Sequence, residues 1–206
     1  MNGAFLSAAI LLCVGGVVFA KYNELEYSLC ESSNVIRVSN LQVTPMPVVH
    51  PGHLKFSGDF EATRPVSSAS LTLSVKRESY WFDLPIPCVM NVGSCTYNNI
   101  CTLVDQMITE NWAGIIGKVG LKIKEMFESR GAAYNKCPIP AGEVLSIRKQ
   151  SMRMPTIPRV LSWLTNGDYK IKIQVNDNTS GERLLCLDLG LSFQKSCTGF
   201  SCYFGK

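Results

Sequence analysis

Apolar and polar residues alternate over most of this chain. Leu54, Phe56 and Phe60 alternate with Lys55, Ser57 and Asp59, and Leu71, Leu73 and Val75 alternate with Thr72, Ser74 and Lys76. Tyr169, Ile171, Ile173 and Val175 are interleaved with Lys170, Lys172 and Gln174, and Leu185, Leu187, Leu189, Leu191 and Phe193 keep the same period. Successive side chains of a strand point to opposite faces, so each run predicts a strand with one apolar and one wet face. Segments 34–44, 80–86 and 143–153 are further candidates, giving about seven or eight strands. Pro51-Gly52, Pro140-Ala141-Gly142, Asn166-Gly167 and residues 176–181 supply turns between them. The combination predicts an all-β fold, an antiparallel sandwich or cup.

Between Cys101 and Cys137 the period changes. Trp112, Ile115, Ile116, Val119, Ile123, Met126 and Phe127 recur at helical spacing, which predicts an amphipathic helix of about five turns over 111–128. Lys118, Lys122, Lys124 and Glu125 lie off the stripe, and a shorter helix is expected over 100–108. Gly114, Gly117 and Gly120 each cost ~1 kcal/mol relative to Ala, which predicts a helix marginal in water. Two roles fit the stripe: a membrane sensor whose lysines meet anionic head groups, or a cover lying on the sheet.

Composition narrows the class. The chain has 206 residues, 46% of them hydrophobic and 17% charged, which suits one globular domain. A formal charge of +4 without a basic tract gives no footprint for nucleic acid but is compatible with anionic lipid. Ala4 to Phe19 is apolar or small throughout, ending in Val18-Phe19-Ala20 before the first charge at Lys21. This predicts a secretory signal peptide over 1–20 and a mature domain over 21–206. An uncleaved membrane anchor is the alternative, since no Lys or Arg precedes Lys21.

Of nine cysteines, Cys13 falls in the leader, and the even remainder in an exported chain predicts disulfides. Zinc competes, but no C-x-x-C pair is present. His50 and His53 stand at H-x-x-H spacing in a turn without an evident third ligand. No G-x-S-x-G elbow or P-loop occurs, so neither an enzyme nor a cofactor is expected. Asn178-Thr179-Ser180 is the one N-x-S/T sequon and predicts N-glycosylation at Asn178.

Several segments carry a more specific signal. Asn40-Leu-Gln-Val-Thr-Pro, Val49-His-Pro-Gly, Ile86-Pro-Cys88, Val92-Gly-Ser-Cys95-Thr and Cys101-Thr-Leu-Val-Asp105 occur in order, followed by Cys137-Pro. Ser162-Trp163-Leu-Thr-Asn-Gly-Asp-Tyr169 and Gly181-Glu-Arg-Leu-Leu-Cys186 complete the set. Over about Cys30 to Phe193 the chain resembles the ganglioside-activator group of the MD-2-related lipid-recognition family.

The resemblance implies a β-cup whose apolar cavity takes a glycosphingolipid or phospholipid from a membrane. It implies presentation of that lipid to a soluble lysosomal glycosidase such as a β-hexosaminidase. It places the protein outside the cell or in the lysosomal lumen. It also implies the bridges Cys30–Cys186, Cys88–Cys95 and Cys101–Cys137. The chain departs from the group in having no cysteine between Cys101 and Cys137 and in carrying Cys197 and Cys202 in an extension over 194–206. Those two are assigned to each other by remainder and local spacing. In the chain-entropy model the long Cys30–Cys186 bridge contributes roughly 5 kcal/mol, against about 2.5 for Cys88–Cys95.

By the same resemblance the loop with Leu161, Trp163 and Leu164 borders the cup mouth, and Trp163 is expected to meet the membrane. Trp81, Trp112, Ile115, Ile116, Val119, Ile123 and Phe127 are the further candidates for lipid or membrane contact. Periodicity alone equally allows a closed, packed core. Other classes remain open: a secreted lipid-sensing defence protein, a membrane-perturbing factor or, further off, a lipid hydrolase.

Overall fold

The computed structural model describes residues 20–30 and 35–196. The leader, and the Cys197–Cys202 pair with most of the C-terminal extension, lie outside the described residues. Ten strands and two helices follow in order: β1 (Glu26–Leu29), β2 (Ile36–Thr44), β3 (Val48–His50), β4 (Gly52–Ala62), β5 (Ala69–Arg77), β6 (Leu84–Ile86), β7 (Thr96–Tyr97), α1 (Ile100–Glu110), α2 (Ile116–Glu128), β8 (Val144–Met154), β9 (Gly167–Asp177) and β10 (Arg183–Lys195). The larger sheet has the order β1-β10-β9-β5-β6, with β3 parallel to β10 and β7 beside β5. The smaller has the order β2-β4-β8. The all-β expectation therefore agrees with the structure, as do the strands foreseen from alternation.

Cross-strand register assembles the alternating residues into rows. In the larger sheet Leu71 stands opposite Val175 and Val175 opposite Leu185; the next rows are Leu73, Ile173, Leu187 and then Val75, Ile171, Leu189. In the smaller sheet Val38, Phe60 and Leu145 form one row, and Leu54 faces Met152. Both strand pairs of the smaller sheet shift register, between Ser39 and Gln42 and between Phe56 and Gly58. Asn40 takes the left-handed backbone conformation at the first shift (φ 54°), and its amide donates to Asp59 Oδ2 at 2.6 Å. Such bulges bend a sheet, which is how a flat ladder becomes one wall of a cup.

Among the described residues three disulfides staple the fold: Cys30–Cys186, Cys88–Cys95 and Cys101–Cys137, with Cα separations of 5.3, 4.9 and 6.0 Å. These are the pairings implied by the resemblance.

Two elements differ from expectation. The candidate strand over 80–86 contracts to β6, and Tyr80, Trp81 and Phe82 stand in a loop. Three consecutive aromatics do not alternate, so no register buries them on one face. The helix expected over 111–128 is broken. A single 3₁₀ turn covers Trp112–Gly114, and α2 begins only at Ile116. Ala113 and Gly114 have φ of 50° and 72°, outside any right-handed helix. Gly117 and Gly120 also have another role than weakening a helix. A Cβ on Gly117 would lie 2.8 Å from Asn111 Oδ1, and one on Gly120 would lie 2.9 Å from Ile108. Both glycines let α2 lie close against α1.

Candidate lipid-binding site

Buried apolar clusters stand towards opposite ends of β5 and β9. At one end Val66, Ala69 and Leu184 are fully buried, with Val38, Leu41, Ala62, Val175, Leu185 and Leu187 from both sheets packed around them. At the other end of β5 and β9, Tyr169 is fully buried between Val75 and Ile86. Several apolar strand residues are only half-buried: Leu54, Phe56, Phe60, Leu73, Ile171, Ile173 and Met152; Phe56, Phe60 and Ile173 pack against the first cluster and Ile171 against the second. Phe56 and Phe60 stack at 6.3 Å between centroids. Alternating strands thus carry apolar side chains that are not fully buried.

The Tyr169 end carries the surface features. The loop joining β5 to β6 holds Tyr80, Trp81 and Phe82 at 90, 84 and 65% exposure. Tyr80 and Trp81 meet edge to face at 4.9 Å. The base of this loop is fixed: Lys170 Nζ lies 2.7 Å from Glu78 and 3.6 Å from Asp83, one acid on each side of the aromatics. Burial opposes ionisation of Glu78, but hydrogen bonds from Lys170, Lys21 and Tyr22 outweigh it and hold the carboxyl at about 2. The clamp therefore stays charged in mildly acidic surroundings.

Trp163 lies beside the same base. It packs against both the Tyr169 cluster and a second cluster formed by Ala113, Ile157 and Leu161. The Tyr169 hydroxyl donates to the Trp163 carbonyl. Ile115 and Val92 join that second cluster, so the break between α1 and α2 meets the Trp163 loop. The aromatic loop, the Trp163 loop and the 112–115 turn thus gather at one end of the larger sheet.

The residues singled out from sequence separate into distinct surroundings. Trp81 is almost wholly exposed, whereas Trp163 and Leu164 are half-buried. Leu161 is fully buried, because it forms the centre of the cluster under the loop rather than its rim. Trp112 is only 6% exposed: its ring stacks on Tyr97 at 5.1 Å and its Nε1 donates to Glu110 at 2.7 Å. Leu161 and Trp112 are therefore core in this structure, not surface. Ile115, Ile116, Val119, Ile123 and Phe127 are half-buried, Met126 is buried and Leu121 is exposed. Of the lysines beside them, Lys118 is exposed, Lys122 pairs with Glu125 at 2.9 Å and Lys124 with Glu128 at 3.8 Å.

Tyr80, Phe82 and Leu84, 48% exposed, complete the apolar surface around Trp81. They were hidden from sequence inspection because the segment passed for a strand; the three aromatics in succession were the available signal. His50 is buried with one ring nitrogen on the Thr165 carbonyl at 2.6 Å, so it is a structural residue apart from the exposed His53. Among the described residues no group of three or more His, Cys, Asp or Glu could hold a metal ion. None of the described helices is long and apolar enough to cross a membrane.

The family model of the ML domain matches residues 24–193. The chain belongs to the ML-domain family. Its relatives in that family include the ganglioside GM2 activator of Mus musculus, 28% identical over 158 residues and covering 76% of this chain and 75% of the relative. The ganglioside GM2 activator of Macaca fascicularis is 24% identical over 201 residues, covering 93 and 98%. A Niemann-Pick type C2 protein from Japanese carpenter ant shares 11% identity with a TM-score of 0.42, covering 82% of this chain and 99% of that one. Membership of the ML family makes this a lipid-binding fold.

Proposed function

We propose that this protein is a non-catalytic lipid-transfer protein that lifts a glycosphingolipid from a membrane and presents it to a soluble glycosidase. The observation that carries the proposal is the aromatic loop: Tyr80, Trp81 and Phe82 project into solvent from a fixed base at one end of an apolar interior. Exposed aromatics at this density are costly in water and favoured at a bilayer interface. The likeness to two ganglioside GM2 activators supports the choice of glycosphingolipid, and a glycosidase of the β-hexosaminidase kind is the partner that the sequence resemblance implies.

The energetics fit extraction. A 16-carbon acyl chain represents roughly 13 kcal/mol of hydrophobic free energy at about 0.8 kcal/mol per CH₂. Release of such a chain into water is prohibitive, whereas transfer from one hydrocarbon environment to another is close to neutral. The rows formed by Leu73, Ile173 and Leu187 and by Leu54 and Met152 would supply the second environment. Three disulfides suit the oxidising route to a secreted or lysosomal location.

The test uses protein purified from a eukaryotic secretory host. Mass spectrometry of co-purifying lipid should find glycosphingolipid. Labelled glycosphingolipid should move between vesicles without leakage of their contents, and a β-hexosaminidase should act faster on vesicle-bound ganglioside when the protein is added. Lipid turnover by the protein alone would make it a hydrolase, and leakage without transfer would make it a membrane-perturbing factor.

A further inference from the structure

The start of the described chain is seated in a polar site on the larger sheet, apart from the lipid interior. The Lys21 main-chain nitrogen donates to Asp168 Oδ1 at 3.0 Å. Ser192, 1% exposed, donates its hydroxyl to the same carboxylate oxygen and accepts the Tyr22 N–H at 3.1 Å. Tyr22 is 2% exposed, and its hydroxyl donates to Glu78 Oε2 at 2.6 Å. The Glu78 N–H in turn donates to the Asp168 carbonyl at 2.8 Å. Gly190 makes room for the tyrosine: a Cβ there would lie 2.5 Å from the Tyr22 ring. A ring this deeply seated, with its own glycine beneath it, holds the nitrogen of the preceding residue in a defined place.

The charges around that place are unevenly matched. Glu78 has two cations, Lys21 Nζ at 2.6 Å and Lys170 Nζ at 2.7 Å. Among the described residues Asp168 forms no ion pair with a Lys, Arg or His side chain, and the donors on its carboxylate are an amide and a hydroxyl. No side-chain cation is in contact with this carboxylate among the described residues: the Lys21 ammonium attracts it through space but is bonded to Glu78, Arg77 lies beside Gly167, and Glu26 adds a negative charge near Lys21. The atom placed to supply a cation in contact is the Lys21 main-chain nitrogen. In the sequence, Val18 and Ala20 stand at the third and first positions before Lys21, the pattern a leader peptidase accepts. Ala20 is half-buried and Lys21 exposed, so the bond between them is accessible.

We propose that the chain is cut between Ala20 and Lys21, and that Asp168 with Ser192 forms the binding site for the new N-terminus. A leader peptidase hydrolyses the Ala20–Lys21 amide. Water supplies the oxygen that completes the Ala20 carboxylate, and its protons leave the Lys21 nitrogen as an ammonium. That ammonium replaces a single neutral N–H with a charged group bearing three donors, 3.0 Å from Asp168 Oδ1. Processing then completes the charge balance of the network joining the N-terminal segment to β5, β9 and β10. The uncut chain keeps a neutral amide at the same point.

The experiment begins with N-terminal sequencing of the secreted protein, which should start at Lys21. Two variants follow: one alanine inserted between Ala20 and Lys21, which makes the Lys21 nitrogen an amide again, and Asp168→Asn. Each should lower the folding equilibrium constant about fivefold, the upper end for a partly exposed ion pair. The two together should cost no more than Asp168→Asn alone. An α-amino group ordinarily titrates near pH 8. Paired with Asp168 its value rises, so its contribution is complete below about pH 8 and lost as pH climbs through the raised value. The parent protein should show that alkaline loss and the insertion variant should not. The α-amino group of the parent, followed by NMR after ¹³C-methylation, should titrate above its ordinary range, which tests the site even if Asp168→Asn does not fold. A mature chain starting elsewhere, additive effects of the two changes, or an α-amino group titrating at or below its ordinary value would each overturn the proposal.

Discussion

Replacement of Trp81 by Ala separates a membrane-docking role from a folding role. A tryptophan offers roughly 150–250 Å² of surface, and in this protein Trp81 is 84% exposed. At about 25 cal/mol per Å², the exposed part of a mid-range tryptophan surface is worth ~4 kcal/mol on full transfer from water to hydrocarbon. A ring lodged at the interface, with only part of its surface in hydrocarbon, retains about half of that, ~2 kcal/mol, or roughly a thirtyfold change in affinity. Vesicle co-sedimentation should therefore weaken about thirtyfold, and the rate of glycosphingolipid transfer should fall with it. The melting temperature should move by no more than about 2 °C, since the packing lost is mainly the edge contact with Tyr80 at 4.9 Å. Trp163→Ala is the control. Its ring packs between two core clusters, so truncation should cost about 3 kcal/mol of stability. Vesicle binding by Trp81→Ala within twofold of the parent, with the fold intact, would refute the assignment of this loop to the membrane.

Four further outcomes are expected. Peptide mapping without reduction should recover Cys30–Cys186, Cys88–Cys95 and Cys101–Cys137 together with Cys197–Cys202, and removal of the first should destabilise by up to ~5 kcal/mol. Glu78→Gln should cost about 1–2 kcal/mol, discounted because its lysine partners are half exposed. Because the folded carboxyl sits at about 2 against an ordinary 4.5, that cost should be equal at pH 5 and pH 7 and should vanish as pH falls towards 2 in urea titrations. Replacement of Ile115, Ile116 and Ile123 by Ser tests the helical segment as a membrane sensor: binding to anionic vesicles should rise in acid in the parent and drop in the variant, whereas unchanged binding leaves the segment as cover. Asp59, Glu78 and Asp177 would not contribute to that acid gain, since all three are held down by hydrogen bonds to their charged forms. Asn178 is exposed in the turn after β9 and should carry a glycan, seen as a mobility shift on glycosidase treatment. That modification would compete with the amide's bonds to Ser68 and Asn98, both 2.9 Å.

Much of the fold was legible because strand alternation is local. Lys170, Ile171, Lys172 and Ile173 alternate whatever their partners are, and the pattern marks β9 without knowledge of β5 or β10. Short elements carry no such pattern. β3 has three residues and exists because Val48, Val49 and His50 pair with Phe193, Gln194 and Lys195, a relation across the whole chain. The helix break was invisible for a different reason: Trp112, Ile115, Ile116 and Val119 keep helical spacing across Gly114, and spacing carries no information about the positive φ at Ala113 and Gly114.

The candidate site divides along the same line. Its chemical character, rows of aliphatic and aromatic side chains with few ionisable groups among them, is written in the linear order of residues. Which of those residues are sealed and which stay open is not. Leu161 and Trp163 are two positions apart in one loop, yet the first is at the centre of a cluster and the second only half-buried. Trp81 and Trp112 are both tryptophans near polar residues, yet one stands in solvent while the other stacks on Tyr97. Burial depends on what packs against a residue from distant parts of the chain, and those neighbours are assigned only when β5 pairs with β9, α1 meets α2 and Tyr169 closes one end of the cup.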